Sequence, residues 1–203
     1  MSNPDRHLAR GGVERSSPMI LIVSAISEEL GDVAGEVVGV GGVQAAVNMS
    51  RLLRASRPDG VIFLGTGGAY SGGPPVGSAC LASRVGWSQG LAVMGLGYTP
   101  RPPAPIPCDR RLMGRSNLRT VGVLSVGSVT TDPTLAARLS DGWDVEQVEA
   151  YGIATACAAE GVPATMVIGI THVVGPSAHA QWLTNRETAR NAARSALVEI
   201  IGG

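Results

Sequence analysis

The chain has 203 residues, the size of one ordinary domain, and its 16 lysine and arginine residues balance 16 acidic ones, for a formal net charge of +0. A neutral chain offers no basic field for nucleic acid, and no apolar run approaches the ~20 residues of a membrane-spanning helix, so we expect no nucleic-acid or membrane partner. Hydrophobic residues make up 44% of the chain, which excludes disorder of the whole chain.

The first residues are polar and lack the apolar core of a secretory signal. We therefore predict a flexible tail over residues 1–17, one domain over residues 18–203, and a cytoplasmic location. The three cysteines, Cys80, Cys108 and Cys157, are odd in number and widely spaced, which suits neither disulfides nor a metal site, so we expect buried thiols.

Short, continuously apolar runs alternate with helix-like segments along the chain. The runs predict strands over residues 19–25, 37–40, 61–64, 78–85, 120–125, 145–148 and 164–170, and the helical spacings predict helices over 43–55, 149–160 and 185–201. A further helix is predicted to begin at Pro133, with Asp132 as its N-cap. Apolar strands alternating with helices are typical of an α/β fold whose mostly parallel sheet is covered on both faces.

Two loop segments stand out. The run Gly65-Thr66-Gly67-Gly68 follows the third long strand and predicts a turn. Residues 95–111 carry five prolines and are predicted to form a long loop, and such loops in compact domains are functional or mobile.

Polar residues follow the carboxyl ends of successive strands, which is where α/β sheets bind ligands. They include two separated clusters of carboxylates, at Glu28–Glu29 and Glu146–Glu149, and one histidine, His172, after Thr171. There is no nucleophile elbow and no metal-ligand cluster in this set. Separated carboxylates with an acid/base partner are what glycosidic cleavage needs, because one activates water while the other offsets the charge developing on the sugar.

Each of these residues also has a structural interpretation. Glu28 and Glu29 could be first-turn acids of a helix, Glu149 could begin an exposed helix, and His172 could be a hydrogen-bonded structural histidine. Their joint arrangement, with one candidate after each strand, favours the functional interpretation.

Four segments resemble, in the same order, the nucleosidase branch of the purine nucleoside phosphorylase superfamily. They are residues 22–29 (IVSAISEE), 38–46 (VGVGGVQAA), 58–70 (PDGVIFLGTGGAY) and 148–154 (VEAYGIA). A fifth segment, Gly169–Gly175 with Trp182 downstream, is most similar to futalosine hydrolases, which carry a Ser-Asn-x-Val-Gly pattern followed by Trp.

The resemblance implies a nucleoside phosphorylase-like fold, a three-layer α/β sandwich in which helices flank a twisted, mixed, mostly parallel sheet. It also implies hydrolysis of futalosine to hypoxanthine, a step of menaquinone biosynthesis, in a homodimer or larger assembly with residues 95–111 as a candidate subunit contact. No metal or organic cofactor is implied, since water is the second substrate.

Roles follow by motif from the same resemblance. Glu29 would activate the attacking water, Glu149 would bind the ribose hydroxyls, and His172 would contact the purine near N7. The remaining substrate-binding residues would be Gly67, Gly68, Ser128, Val129, Thr130, Val148 and Thr171.

At three positions the residue differs from that of related proteins, and these differences bear on which base is preferred and on whether the reaction is hydrolysis or phosphorolysis. His172 and Thr171 stand where relatives carry Asp or Asn preceded by Ser, and a histidine favours a 6-oxopurine over adenine. Phe63 stands where related phosphorylases carry an arginine, which favours hydrolysis over phosphorolysis. The open alternatives are a methylthioadenosine/adenosylhomocysteine-type nucleosidase and a catalytically weak nucleoside-binding member of the fold.

Overall fold

The computed structural model describes residues 18–114 and 116–202, so the tail predicted over residues 1–17 lies outside it. The described strands are β1 (Ile20–Ser24), β2 (Glu36–Val37), β3 (Gly60–Ala69), β4 (Ala79–Trp87), β5 (Ile106–Pro107), β6 (Thr120–Ser125), β7 (Val145–Gln147) and β8 (Ala164–Val173). The helices are α1 (Ser27–Leu30), α2 (Gly42–Ser56), α3 (Gly90–Val93), α4 (Pro133–Leu139), α5 (Ala150–Ala159) and α6 (Ala178–Gly202), with one 3-10 turn at Arg110–Met113.

The predicted long strands and helices are present, and α4 begins as expected. The Asp132 carboxylate accepts a hydrogen bond from the Leu135 amide at 2.7 Å, so it caps the helix that Pro133 opens. The 95–111 segment is less irregular than predicted, because β5 pairs with β4 and the 3-10 turn begins at Arg110.

The predicted turn at Gly65–Gly68 is wrong, since these residues lie inside β3. β3 pairs with β8 from Val61 to Ala69 and with the short β7 near its end. A Cβ atom on Gly67 would lie 2.6 Å from the Glu146 carbonyl oxygen. The glycines thus allow neighbouring backbones to approach, rather than reversing the chain.

The sheet is mixed and mostly parallel, as predicted, but it does not remain an open layer. β8 pairs with β3 in parallel and with β4 antiparallel, so β3, β7, β6, β4 and β8 form a closed ring, with β1, β2 and β5 added outside it. The pairing of β3 with β8 shifts register between Gly67 and Gly68, and that of β4 with β6 shifts between Ala82 and Arg84; such β-bulges bend and twist strands. The three-layer sandwich is therefore an incomplete description of this α/β fold.

Helices α6 and α5 cover the sheet, and glycines set how closely they approach. α6 packs against β8 and β3, and a Cβ on Gly169 of β8 would lie 2.1 Å from the Ala189 carbonyl oxygen of α6. α5 packs against α2, where a Cβ on Gly152 would lie 2.1 Å from the Gly42 carbonyl oxygen. The largest fully buried side chains between these layers include Phe63, Ile153, Met166 and Leu197.

The three cysteines are free and buried, as expected. Burial raises the pKa of each thiol to about 12. Over the described ranges no helix combines the length and apolar character that crossing a membrane requires.

Candidate active site

A cavity of about 220 Å³ lies where the carboxyl ends of β1, β3, β7 and β8 meet α1 and α6. It brings together residues far apart in sequence and contains most of the predicted site. Its lining is Ala25, Ile26, Glu29, Val40, Thr66, Gly67, Gly68, Val129, Glu146, Gln147, Val148, Glu149, Thr171, His172, Trp182 and Arg190.

Two predicted substrate contacts lie outside this lining. Ser128 is exposed in the loop after β6. Thr130 is buried, but its amide donates to the Glu146 carboxylate at 2.8 Å, so it supports the cavity wall from behind. Val129, between them, does line the cavity and is 48% exposed.

Glu29 sits on α1, the short helix that follows β1, and is buried. Its Oε1 accepts two hydrogen bonds from Thr66 on neighbouring β3, one from the amide and one from the hydroxyl, each at 2.9 Å. Oε2 is buried without a partner in the described residues. Burial raises the pKa of Glu29 to about 7, the negative charge of Glu149 adds to this rise, and the bonds from Thr66 oppose it. Glu29 thus lines the cavity with a carboxyl group whose pKa is near neutrality and one of whose oxygens lacks a partner among the described residues.

Glu149 is held at the start of α5 by different donors. Its Oε1 accepts from the Gly41 amide at 2.8 Å, and its Oε2 accepts from the Gln147 side-chain amide. Gly41 has φ +91°, a left-handed conformation that glycine adopts without strain. The close approach of α2 to α5 at Gly152 brings this amide to Glu149.

Gln147 does more than orient the Glu149 carboxylate. Its Oε1 accepts from the amides of Glu149 and Ala150, at 2.7 and 2.6 Å, and so caps α5. Because Oε1 is committed to these two amides, its nitrogen must face Glu149. One side chain therefore fixes both the helix and the carboxylate.

His172 lies at the end of β8 rather than after it, and it is buried. Nδ1 is 2.8 Å from the Thr171 hydroxyl, which itself donates to the Gly67 carbonyl at 3.0 Å. Because the Thr171 hydroxyl uses its only hydrogen in the bond to Gly67, it can only accept a hydrogen bond from His172. Nδ1 of His172 therefore carries a proton. Burial lowers the pKa of His172, and the neutral ring then has a bare Nε2.

Gly68 makes room for that ring. A Cβ atom on Gly68 would lie 2.4 Å from Nε2 of His172 and 2.9 Å from the Val174 side chain. Because real Cβ atoms do not approach other atoms so closely, any other residue at position 68 would displace His172.

Buried polar atoms without a partner concentrate in the cavity. Over the described ranges there are four such side-chain atoms, and three belong to the cavity lining: Glu29 Oε2, His172 Nε2 and Arg190 Nε. Buried polar groups are almost always hydrogen-bonded, so three unpaired ones in one cavity indicate partners that a ligand supplies. The same ranges contain no group of three or more His, Cys, Asp or Glu residues placed to hold a metal.

Four polar or charged residues of the cavity lining were given no role in the sequence analysis, although Glu146 was among its candidate carboxylates: Thr66, Glu146, Gln147 and Arg190. Glu146 is buried on β7 and accepts from the Tyr70 hydroxyl at 3.1 Å as well as from Thr130; burial raises its pKa. Gln147 could have been found as the polar residue two positions before Glu149. Arg190 gives no signal in the sequence, because it is one of several arginines on a long polar helix.

Two of the larger hollows among the described residues lie at the opposite end of the strands and lack this chemistry. One of about 860 Å³ is bordered by Ile20, Asp59 and Pro163, at the amino ends of β1, β3 and β8, and one of about 350 Å³ adjoins it at Asp109. Their acids are already engaged: Asp109 pairs with Arg111, and Asp59 accepts from the Met19 amide. The site is therefore the smaller cavity at the carboxyl ends.

The relatives and solved structures that this chain resembles are nucleosidases. No family model matches the chain. It is 31% identical over 163 residues to a futalosine hydrolase of Streptomyces coelicolor, which spans 71% of this chain and 68% of that protein. It is 25% identical to a 5′-methylthioadenosine/S-adenosylhomocysteine nucleosidase of Halalkalibacterium halodurans, over 81% of this chain and 78% of that protein.

Two solved structures share the fold. A methylthioadenosine/adenosylhomocysteine nucleosidase of Colwellia psychrerythraea, in complex with adenine, superposes with a TM-score of 0.76 at 18% identity, covering 92% of this chain and 96% of that one. A futalosine hydrolase of Helicobacter pylori superposes with a TM-score of 0.74 at 15% identity, covering 89% and 97%.

Proposed function

Because the chain belongs to the family of nucleosidases that includes futalosine hydrolase, and is thereby an N-glycosyl hydrolase that acts on purine nucleosides, we propose that it hydrolyses futalosine or a closely similar 6-oxopurine nucleoside. The observation that carries the proposal is the set of unpaired atoms on Glu29 and His172 facing one cavity with Glu149. Hydrolysis needs a general base that takes a proton from water, an anion beside the sugar, and a proton donor for the departing purine.

Glu29 is the general base. Its Oε2 is free to accept a hydrogen bond from water, while Thr66 holds Oε1 in place. A pKa of about 7 is suited to taking a proton near neutral pH. The water oxygen forms the new bond to C1′ of the ribose as its proton passes to Glu29.

Glu149 binds the ribose hydroxyls. Each of its oxygens accepts one N–H bond inside the protein and keeps a lone pair for a hydroxyl. Its negative charge offsets the oxocarbenium-like charge that forms as the C1′–N9 bond breaks. Val148 lines the cavity beside it and packs against the sugar.

His172 supports departure of the base. In the imidazolium form, Nδ1–H donates to the Thr171 hydroxyl, which still donates its own hydrogen bond to the Gly67 carbonyl. The Nε2–H of the ring is then free to donate. The electron pair of the broken bond moves into the purine, and N7 takes the proton from Nε2. Both N7 and the 6-oxo oxygen are acceptors for this donor, whereas the 6-amino group of adenine is itself a donor, which disfavours adenine.

A homodimer or larger assembly fits the apolar residues that are exposed at the cavity and in the proline-rich segment. Val40 and Val129 line it while 62% and 48% exposed, and Leu96 and Tyr98 of the proline-rich segment are 75% and 84% exposed. Covering such residues with a neighbouring subunit would remove apolar surface from water and close the cavity. We place the enzyme in the cytoplasm, in menaquinone biosynthesis, on the strength of the proposed substrate.

The experiment compares kcat/KM for release of free base from futalosine, inosine, methylthioadenosine and adenosylhomocysteine. We expect hypoxanthine release from futalosine to be fastest. The relative from Halalkalibacterium halodurans supports the second candidate, a methylthioadenosine/adenosylhomocysteine nucleosidase. Preferential release of adenine would establish that candidate and contradict the 6-oxopurine assignment.

A further inference from the structure

Glu146 is a cavity acid that has no part in the chemistry proposed above. Val145 before it packs into the core, and because successive side chains of a strand point to opposite faces, Glu146 lines the cavity, where it is 3% exposed. Within the described ranges Glu146 forms no ion pair. A buried carboxylate without a cation is unfavourable unless hydrogen bonds compensate for the water that it loses.

Two neutral donors hold the Glu146 carboxylate. The Thr130 amide donates to Oε1 at 2.8 Å, and the Tyr70 hydroxyl donates to Oε2 at 3.1 Å. Tyr70 is buried in a core cluster that includes Leu124 and Val174. Burial and the nearby charge of Glu146 raise the pKa of the Tyr70 phenol, so the hydroxyl keeps its proton and remains a donor. The carboxylate therefore connects a fixed core side chain to a main-chain amide.

That amide belongs to the peptide group that joins Val129 to Thr130, in the loop over residues 126–132 between β6 and α4. Val129 lines the cavity and is 48% exposed. The carbonyl of Thr130 accepts a hydrogen bond from the Gly175 amide at 3.1 Å, three residues after His172. The loop is thus held by Glu146 on β7 at one point and by the chain that follows β8 at the next.

We propose that Glu146 is a positioning residue that, with Tyr70 behind it, fixes Val129 against the purine base. The inference rests on the proposed function, which places the base beside His172. Glu146 pairs with Gly68, and Gly68 pairs with His172 on its other side, so the three residues lie next to one another across β7, β3 and β8. One sheet therefore fixes both Val129, whose apolar side chain covers the base, and the proton donor. The role needs an acceptor at position 146 rather than a charge, because both donors are neutral.

The test measures the Kd of free hypoxanthine by calorimetry, which requires no turnover. Glu146→Leu removes the acceptor and leaves the Thr130 amide unpaired. It should weaken hypoxanthine binding about tenfold and raise KM for base release from futalosine by a similar factor, with a smaller change in kcat. Glu146→Gln keeps an oxygen for the Thr130 amide and offers its nitrogen to the Tyr70 oxygen, so it should recover most of the affinity.

Asp144→Leu is the matched control. The Asp144 carboxylate, two residues earlier, also accepts a main-chain amide, that of Gly122 at 2.8 Å, but Asp144 does not line the cavity. This variant should bind hypoxanthine as the wild-type protein does, and thermal unfolding shows how much stability each variant loses. If Asp144→Leu weakened binding as much as Glu146→Leu, the effect would be a general loss of stability and the inference would be wrong.

The other results also decide the inference. Unchanged affinity in Glu146→Leu, or an equal loss in Glu146→Leu and Glu146→Gln, would overturn it. Wild-type protein that releases hypoxanthine but does not bind the free base would overturn it and leave hydrolysis intact. The expected order of affinities in a protein that releases no base would support positioning and contradict the proposed function. Should Glu146→Leu fail to fold, Tyr70→Phe decides, since loss of one of the two bonds should weaken hypoxanthine binding about threefold and unchanged affinity would overturn the inference.

Discussion

The charge of Glu149 raises the pKa of Glu29, although the two carboxylates lie 120 positions apart and share no hydrogen-bond donor. Thr66 holds one oxygen of Glu29, whereas Gly41 and Gln147 each hold an oxygen of Glu149. Different surroundings thus prepare two similar side chains for two tasks, a base near neutrality and an anion beside the sugar.

The pH dependence of kcat/KM should be bell-shaped. Activity needs one proton on His172 and none on Glu29. Burial lowers the pKa of His172 below 6.5 and raises that of Glu29 to about 7, so between these two pKa values the pair holds a single proton, mainly on Glu29. The active form, with that proton on His172, is a minor but constant fraction of this singly protonated state. Below this window both groups are protonated and Glu29 cannot act as a base. Above about pH 7 the shared proton is lost and His172 cannot act as an acid.

The His172→Asn variant tests this assignment. Asparagine does not titrate, so activity should depend only on ionisation of Glu29, rise through about pH 7 and stay level above it. Initial rates of base release from pH 5 to 9 give both profiles. If the variant kept the alkaline decrease of the wild-type protein, His172 would not be the proton donor.

Glu29→Gln should stabilise the folded protein at alkaline pH. The folded-state pKa of about 7 lies above the ordinary value of 4.5. Burying the ionised carboxylate therefore lowers stability progressively as pH rises from 4.5 through 7, and removing it should recover up to about 3 kcal/mol at pH 8 and almost nothing at pH 4.5.

Urea unfolding at the two pH values measures this difference. Glu199→Gln, a change of the same type at an exposed position of α6, is the matched control and should show no such pH-dependent gain. Equal stability of Glu29→Gln and wild-type protein at pH 8 would mean that Glu29 is well solvated when the protein is folded.

Two substitutions of Gln147 distinguish its effect on the stability of α5 from its effect on the position of the Glu149 carboxylate. Gln147→Leu removes the acceptor for two helix amides and the donor to the carboxylate, so we expect a loss of about 2 kcal/mol in stability and about a tenfold to hundredfold loss in kcat/KM. Gln147→Glu keeps an acceptor for the amides but replaces the donor with a like charge. The Gln147→Glu variant should therefore be more stable than Gln147→Leu but should still lose activity. Thermal unfolding measures the first effect and kcat/KM the second. Full activity in Gln147→Glu would exclude the positioning role.

Gly152 sets the approach of α5 to α2. A Cβ there would lie 2.1 Å from the Gly42 carbonyl oxygen, so Gly152→Ala should cost about 2 kcal/mol or more despite the better helix propensity of alanine. It should also lower activity, because the Gly41 amide would move from Glu149. Gly97→Ala is the control, since its Cβ would meet no atom within 4 Å. A fully active Gly152→Ala variant would show that Glu149 does not depend on this helix contact.

Much of the fold could be predicted because its strands are continuously apolar, its longer helices show helical spacing of apolar residues, and α4 begins with a typical cap at Asp132 and Pro133. Gly65–Gly68 misled the prediction, since glycine is as typical of a turn as of a strand pressed against its neighbours, and only the contact with Glu146 distinguishes the two. Closure of the sheet was also unpredictable, because it depends on β8 pairing with both β3 and β4.

The candidate site, like the fold, could be predicted only in part from the sequence. Glu29, Glu149 and His172 lie in motifs at strand ends and could be placed near one another from the alternation of strands and helices. Arg190 lies in the interior of α6, where no local pattern marks it, and it is buried because Gly169 lets that helix approach β8 closely. Tertiary packing, rather than local sequence, selects which arginine of the helix reaches the cavity.

Release of hypoxanthine from futalosine in phosphate-free buffer, by the wild-type protein and by Glu149→Gln, tests the central claim most directly. We expect phosphate-independent release by the wild-type protein and a loss of at least about a thousandfold in the variant, with its thermal unfolding little changed. Release that requires phosphate, or near-normal release by Glu149→Gln, would contradict it.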